Sequence, residues 1–199
     1  MGEVGGKLYF APGFEMGAVP LEDPAALLEA VRSRIEGFFV WPIRKLEETD
    51  ETEVGALFAA ALLLAALVES VARLDGSFSN EDHPIAAWLE ACVRGMDEEI
   101  AVRGEETTVG RVFETRFRHA LAHQGYVASR GRLTRESDKI YVLDRDTVTV
   151  NPFRLLDAVC SAVYSWFDDL SSGTRDIRAF QYRVRELFGE EVEAVREAG

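Results

Sequence analysis

The 199-residue sequence contains only two cysteines, Cys92 and Cys160, and both lie in apolar stretches that favour helices. This scarcity argues against a disulfide-stapled secreted domain and favours a reducing compartment. The first residues also lack the basic and then apolar pattern of a secretory signal. We therefore expect a cytoplasmic protein in which both thiols are small core residues.

No apolar run is long enough to span a bilayer. The apolar stretch from Gly55 to Val68 has 14 residues, whereas a transmembrane helix needs about 20. We expect this stretch to form a helix buried on most of its surface, centrally in a bundle or at a subunit interface. No membrane role follows.

Several motifs of known chemistry are also missing. The sequence has no glycine loop that could cradle a phosphate, no nucleophilic serine motif and no CxxC pair. Glu81 and Asp82 precede His83, but the spacing does not match a metal-ligand set. We expect neither a cofactor nor a metal, and we interpret His83, which precedes Pro84, as a structural residue at a helix start.

Apolar residues recur at helical spacing along most of the chain. A capping residue followed by proline predicts helix starts at Asp23-Pro24 and at Asn151-Pro152. Two short strand patterns within residues 139–150 predict a β-hairpin. The sequence thus predicts a mainly α fold: one bundle of five to six helices over 23–199, with the hairpin before the penultimate helix. An irregular segment, 1–22, precedes it, with a strand-like patch at Lys7 to Phe10.

Two features of the predicted helices can be checked directly. Pro42 is expected to kink or end the first helix, although an apolar stripe continues beyond it. Trp41, Trp88 and Trp166 lie on apolar stripes and are expected in the core.

Charge is distributed unevenly. The chain is acidic, with 22 Lys and Arg against 35 Asp and Glu, yet residues 111–139 carry seven basic and three acidic side chains. One basic segment in an acidic protein favours a small anion site over a broad face for duplex nucleic acid. DNA is therefore not an expected partner.

The centre of this basic segment is the run Arg116-Phe117-Arg118-His119-Ala120-Leu121-Ala122-His123. It falls late in a predicted helix, 108–124, whose inward face is Phe113, Phe117 and Leu121. His119 and His123 are one turn apart and only about 40° different in direction, whereas Arg118 lies about 140° from His123. Arg118 must therefore reach round the helix to join them.

The pattern from Arg118 to His123 resembles the signature of the HEPN superfamily. This signature is an arginine, a polar residue, three further residues and then a histidine. Its place late in a helix of a bundle, followed by glycine and a further helix, is also similar. Residues 51–170 carry the resemblance. Many members are metal-independent endoribonucleases of toxin–antitoxin, phage-defence and CRISPR-linked systems, and others are binding modules without activity.

The resemblance implies roles for individual residues. Arg118 and His123 would be catalytic, His119 would be the accessory polar residue, and two protomers would bring their motifs together in one composite site. A histidine would activate the ribose 2′-hydroxyl and arginine would stabilise charge on the phosphate. Apart from the resemblance, the basic segment makes Arg116, Arg130 and Arg132 candidates for binding RNA phosphates. The expected partners are single-stranded or looped RNA, a second copy of the chain and a cognate antitoxin.

The sequence departs from the family at one position. In toxins silenced by a nucleotidyltransferase, a tyrosine stands two residues after the histidine, where this chain has Gly125 and then Tyr126. That mode of regulation is therefore not expected to carry over.

Each of these residues could instead have a purely structural role. His119 and His123 could cap the helix end or face solvent, and Arg111 and Arg116 could pair with Glu114. Arg130, Arg132 and Arg135 could line a flexible loop or follow an RNA backbone. The function that competes with ribonuclease is a non-catalytic helical module that binds a nucleotide, RNA or protein.

Overall fold

A computed structural model describes residues 2–4, 6–49, 54–124 and 131–198, with the backbone alone at 2–4 and 122–124. Within these ranges the fold is mainly helical, which confirms the predicted class. The helices are α1 at 24–47, α2 at Val54–Asp75, α3 at Pro84–Cys92, α4 at 109–124, α5 at Pro152–Ser172 and α6 at Ile177–Ala198.

Two helix starts follow the predicted capping chemistry. The carboxylate of Asp23 accepts hydrogen bonds from the backbone N–H groups two and three residues ahead, and the side-chain oxygen of Asn151 does the same. These bonds satisfy donors that a helix start leaves without partners. Both predicted starts, at Pro24 and Pro152, are confirmed.

Helix α2 lies at the centre of the bundle. It contacts each of the other five helices described above, and Leu64, Leu67 and Val68 are fully buried. Its outer face is partly open, with Leu62 43% exposed. Among the described residues, α2 is also the one helix long and apolar enough to cross a membrane. Its contacts confirm the predicted central position, whereas only ten of its 22 residues are buried, so the prediction that most of its surface is buried is wrong.

A wider, π-helical turn at Glu36–Val40 interrupts α1. In this turn the N–H of Trp41 bonds to the carbonyl of Glu36, five residues back. The helix continues to Glu47, so Pro42 does not end it. Because a π turn holds an extra residue, Trp41 is rotated off the apolar stripe and is 72% exposed. Its predicted place in the core is wrong, whereas Trp88 and Trp166 are buried as predicted.

The N-terminal segment contains more β structure than the sequence indicates. Strands β1 (Gly2–Val4), β2 (Lys7–Ala11) and β3 (Phe14–Glu15) form an antiparallel sheet, where only a patch in an irregular segment was expected. The sheet packs on α1, because the Ser33 hydroxyl donates to the Pro12 carbonyl at 2.8 Å. A Cβ on Gly37 would lie 2.2 Å from Pro12 Cγ, so only glycine permits this approach.

Two further small β sheets occur along the chain, one before α4 and one after it. Strands β4 (Glu99–Val102) and β5 (Glu105–Thr108) form a hairpin that the sequence did not predict. Strands β7 (Tyr141–Asp144) and β8 (Thr147–Val150) form the predicted hairpin, and β6 (Gly131–Leu133) pairs with β8 in parallel. Thr108 then caps α4 by accepting from the N–H of Arg111 at 3.1 Å.

Tyr141 links the two hairpins, because its hydroxyl donates to the carboxylate of Glu98. Burial, together with this carboxylate, raises the pKa of Tyr141 to about 12. We expect a spectrophotometric titration to find one tyrosine that ionises near pH 12 and is missing from the Tyr141→Phe variant. The folded state favours the neutral phenol, so its stabilisation is complete below about pH 10 and is lost as the pH rises towards 12. Ionisation of Tyr141 together with the other tyrosines would contradict this.

Both cysteines are free thiols. Cys160 is buried and Cys92 is half-buried against the core. Burial raises the pKa of each thiol above its ordinary value, which keeps both in the less reactive protonated form. Cys160 is a core residue, as predicted, whereas Cys92 lies at the edge of the core.

Candidate functional site

Helix α4 carries the Arg/His cluster, and a π-helical turn interrupts it. It runs as Val109–Val112, the π turn Phe113–Arg118, and His119–Gln124. The rings of Phe113 and Phe117, four positions apart in this turn, are stacked with their centroids 6.0 Å apart. The predicted inward face is confirmed, since Phe113, Phe117 and Leu121 are all buried.

Arg118 turns towards α2. Its Nη2 lies 2.7 Å from Oε2 of Glu69, and its Nε donates to the same oxygen at 3.1 Å. The other carboxylate oxygen of Glu69 accepts from Nη2 of Arg73 at 2.8 Å. Only 21% of the Arg118 side chain is exposed. Glu69 therefore joins two arginines, and charge-assisted bonds of this kind are among the stronger ones in proteins.

Arg118 and Glu69 line a pocket of about 400 Å³ between α2, α3, α4 and α6. Three arginines and three glutamates face it, and its apolar walls include Pro84, Ile85 and Leu187. The charged residues are Arg73, Arg118, Arg183, Glu69, Glu114 and Glu186. Pockets of this size hold small organic ligands. Because the charges balance, an anion that enters must compete with a carboxylate for its arginine.

The structure describes the side chain of His119 but only the backbone of His123. His119 follows Arg118 directly and lies on the exposed surface of α4. The backbone of His123 is one turn further along the same helix. The side chain of His123 lies outside the described residues, so the predicted common face of the two imidazoles is still a prediction.

Arg116 does not form the pair considered for it with Glu114. The carboxylate of Glu114 instead accepts from the backbone N–H of Ala86 at 2.7 Å and lies 3.8 Å from Nδ1 of His83. One terminal nitrogen of Arg116, Nη1, is buried without a hydrogen-bond partner in the described part of the chain. An unsatisfied buried donor costs free energy, and phosphate binding by Arg116 stays a prediction.

The remaining arginines of the basic segment have separate places. Arg132 is exposed on β6, and Arg130 lies outside the described residues, as do Gly125 and Tyr126. Arg135 donates to the carbonyls of Leu46, Glu47 and Thr49 at the end of α1. Basic groups stabilise a helix at this end. Arg135 therefore lies in the segment between β6 and β7, as predicted, and anchors the end of α1; contact with RNA at this residue stays a prediction.

Sequence reasoning missed most of the pocket. Glu69 and Arg73 come from α2, and Arg183 and Glu186 come from α6, far along the chain from α4. One signal was available, because Glu69 and Arg73 are charges one turn apart that interrupt an otherwise apolar helix. Within the described ranges, no three His, Cys, Asp or Glu side chains lie close enough together to hold a metal ion.

Comparisons with known proteins identify no relative of this chain. No family model, no curated protein and no solved structure matches the chain. Any functional conclusion therefore depends on the residues themselves.

Proposed function

We propose that this chain is a HEPN-like, metal-independent endoribonuclease that acts in the cytoplasm in stress response or phage defence. The observation that carries the proposal is the placement of Arg118. Its guanidinium faces a 400 Å³ pocket, while the residues that follow it on α4 are His119, on the exposed surface, and His123, one turn on. Arginine and histidine would thus be supplied by one helix, although no histidine of the described residues lines the pocket itself.

The chemistry assigned to these residues is transesterification within RNA. A histidine, His123 by the motif, takes the proton of a ribose 2′-hydroxyl, and that oxygen bonds to the adjacent phosphorus. The bond from phosphorus to the 5′-oxygen breaks, and the departing oxygen receives a proton. Arg118 stabilises the charge on the phosphate oxygens. The products are a 2′,3′-cyclic phosphate and a 5′-hydroxyl.

A second protomer completes the proposed site. One copy of α4 supplies one Arg118 and one His123, and the motif implies that two copies face each other across a dimer axis. The exposed flank of α4 at His119 and the open outer face of α2 at Leu62 support such an approach. Light scattering on the purified protein should therefore give the mass of a dimer.

The deciding experiment is RNA cleavage in excess chelator. We expect cleavage of an unstructured RNA with cyclic-phosphate ends, and no cleavage at a linkage whose 2′-hydroxyl has been replaced by hydrogen, because the nucleophile is then missing. Cleavage at the 2′-deoxy linkage, or no cleavage of varied RNAs, would overturn the proposal.

The binding module is the second candidate, and the Glu69 contact favours it. Both arginines at this side of the pocket already have a carboxylate partner, so the site is arranged to exchange one anion for another. A monomer that binds RNA ends or nucleotides without cleaving them would support this function over the first.

Glu69→Gln tests whether Glu69 holds Arg118 away from phosphate. The amide keeps the shape and loses the charge, so we expect the affinity for a short RNA to rise by about tenfold, the size of one charged hydrogen bond. Glu186→Gln is the matched control, because Glu186 lines the same pocket but pairs with Arg183. Equal affinities for wild type and Glu69→Gln in a fluorescence anisotropy titration would contradict this.

A further inference from the structure

A second cavity, of about 220 Å³, lies between α1, α2 and α6. Its lining is mostly apolar, and its polar members are Arg34, Ser70 and Arg73. The apolar members are Ile35, Phe39, Leu74, Leu187 and Phe188. It shares only Arg73 and Leu187 with the Arg118 pocket, so it is a separate space that adjoins the proposed RNA site.

Arg34 is the unusual residue of this cavity. Its guanidinium carbon lies 5.0 Å from the ring centre of Phe10, 5.2 Å from Phe38 and 4.9 Å from Phe188. One terminal nitrogen donates to the carbonyl of Phe10. Burial lowers the pKa of Arg34, and no Asp or Glu oxygen of the described residues lies within 4.0 Å to offset that burial.

Arg32, two positions earlier on the same helix, has the carboxylate partner that Arg34 lacks among the described residues. Its guanidinium carbon also lies over aromatic rings, 5.5 Å from Tyr164 and 5.8 Å from Phe167. It differs in being paired with Glu36 at 3.3 Å. Aromatic faces attract a cation but accept few of the five N–H donors of a guanidinium. Arg34 therefore has a half-buried charge and open donors at the wall of an apolar cavity.

We propose that this cavity binds a small monocarboxylate with an apolar body, such as an aromatic or short acyl carboxylate. A carboxylate matches the planar donor fork of Arg34, and Arg73, which is paired with Glu69, lies at the border of the cavity. An apolar cavity of about 150 Å³ admits benzene, so 220 Å³ has room for a ring and one carboxylate. This ligand site goes beyond the proposed ribonuclease function and does not depend on it.

Benzoate titrated into the wild-type protein in a calorimeter tests the assignment. We expect one saturable site per chain. Benzyl alcohol, which has the ring without the charge, and inorganic phosphate, which has the charge without the ring, should each bind at least about tenfold more weakly. Equal binding of either control compound, or no saturable binding of benzoate at millimolar concentration, would overturn the proposal.

A pair of variants locates the site. Arg34→Gln should weaken benzoate binding at least about tenfold, whereas Arg32→Gln, which removes the ion-paired arginine outside the cavity, should leave the affinity within about twofold. Circular dichroism checks that each variant is folded. Unchanged binding in folded Arg34→Gln would refute the assignment, and if that variant does not fold, the ligand series on the wild type decides.

Discussion

Replacement of His123 by alanine is expected to lower RNA cleavage by about a hundredfold or more. General acid–base catalysis by a placed side chain contributes roughly 10²–10⁴ to a rate, and the motif gives that role to His123. Binding should change little, because Arg118 and the pocket are unaffected. The measurement is single-turnover cleavage of a labelled RNA, with binding followed separately by anisotropy.

His83→Ala is the control for this loss. His83 is the one histidine of the sequence outside α4, and it precedes the first residue of α3. We expect His83→Ala to retain most of the cleavage rate. A His123→Ala protein that cleaves as fast as wild type would remove His123 from the mechanism and leave His119 as the histidine to test.

The largest expected effect on stability is at Phe117. Its side chain is fully buried at the π turn that orients Arg118, and its ring stacks on Phe113. Truncation of a buried phenylalanine to alanine costs about 3–5 kcal/mol, since it removes apolar contacts and leaves a cavity. We expect Phe117→Ala to lower the free energy of unfolding by this amount in urea and to lower Tm by at least about 6 °C.

Tyr182→Ala is the matched comparison. Tyr182 is an aromatic residue of a helix, α6, but it is 66% exposed, so its removal should change the free energy of unfolding by no more than about 0.5 kcal/mol. Similar unfolding curves for the two variants would mean that the stacked pair of α4 contributes little to the fold.

Local chemistry made the main helices predictable. Asp23 and Asn151 cap their helices through bonds to nearby backbone groups, so a few residues contain all the necessary information. The β7–β8 hairpin was predictable for the same reason. The β4–β5 hairpin was not, because Glu99, Glu105 and Glu106 give its strands a polar composition that is untypical of buried sheets.

Features that depend on a register shift or on distant partners could not be predicted. Helical periodicity assumes a constant number of residues per turn, so the π turn before Trp41 moved that side chain from the expected core to the surface. The Arg118 contact joins residues 49 positions apart, and nothing local to the motif indicates that Glu69 will be there. The basic segment was correctly located, but its charge balance depends on α2 and α6.

The Glu69 bridge has a consequence for how binding responds to salt. Arginines without a carboxylate partner neutralise RNA phosphates and release the cations condensed on the RNA, which makes the affinity fall steeply as salt is added. Here Arg118 and Arg73 already share a carboxylate of the protein. A phosphate that displaces Glu69 gives up its cations but leaves the Glu69 carboxylate to attract cations in turn, so the net release is small and the affinity should depend only weakly on ionic strength.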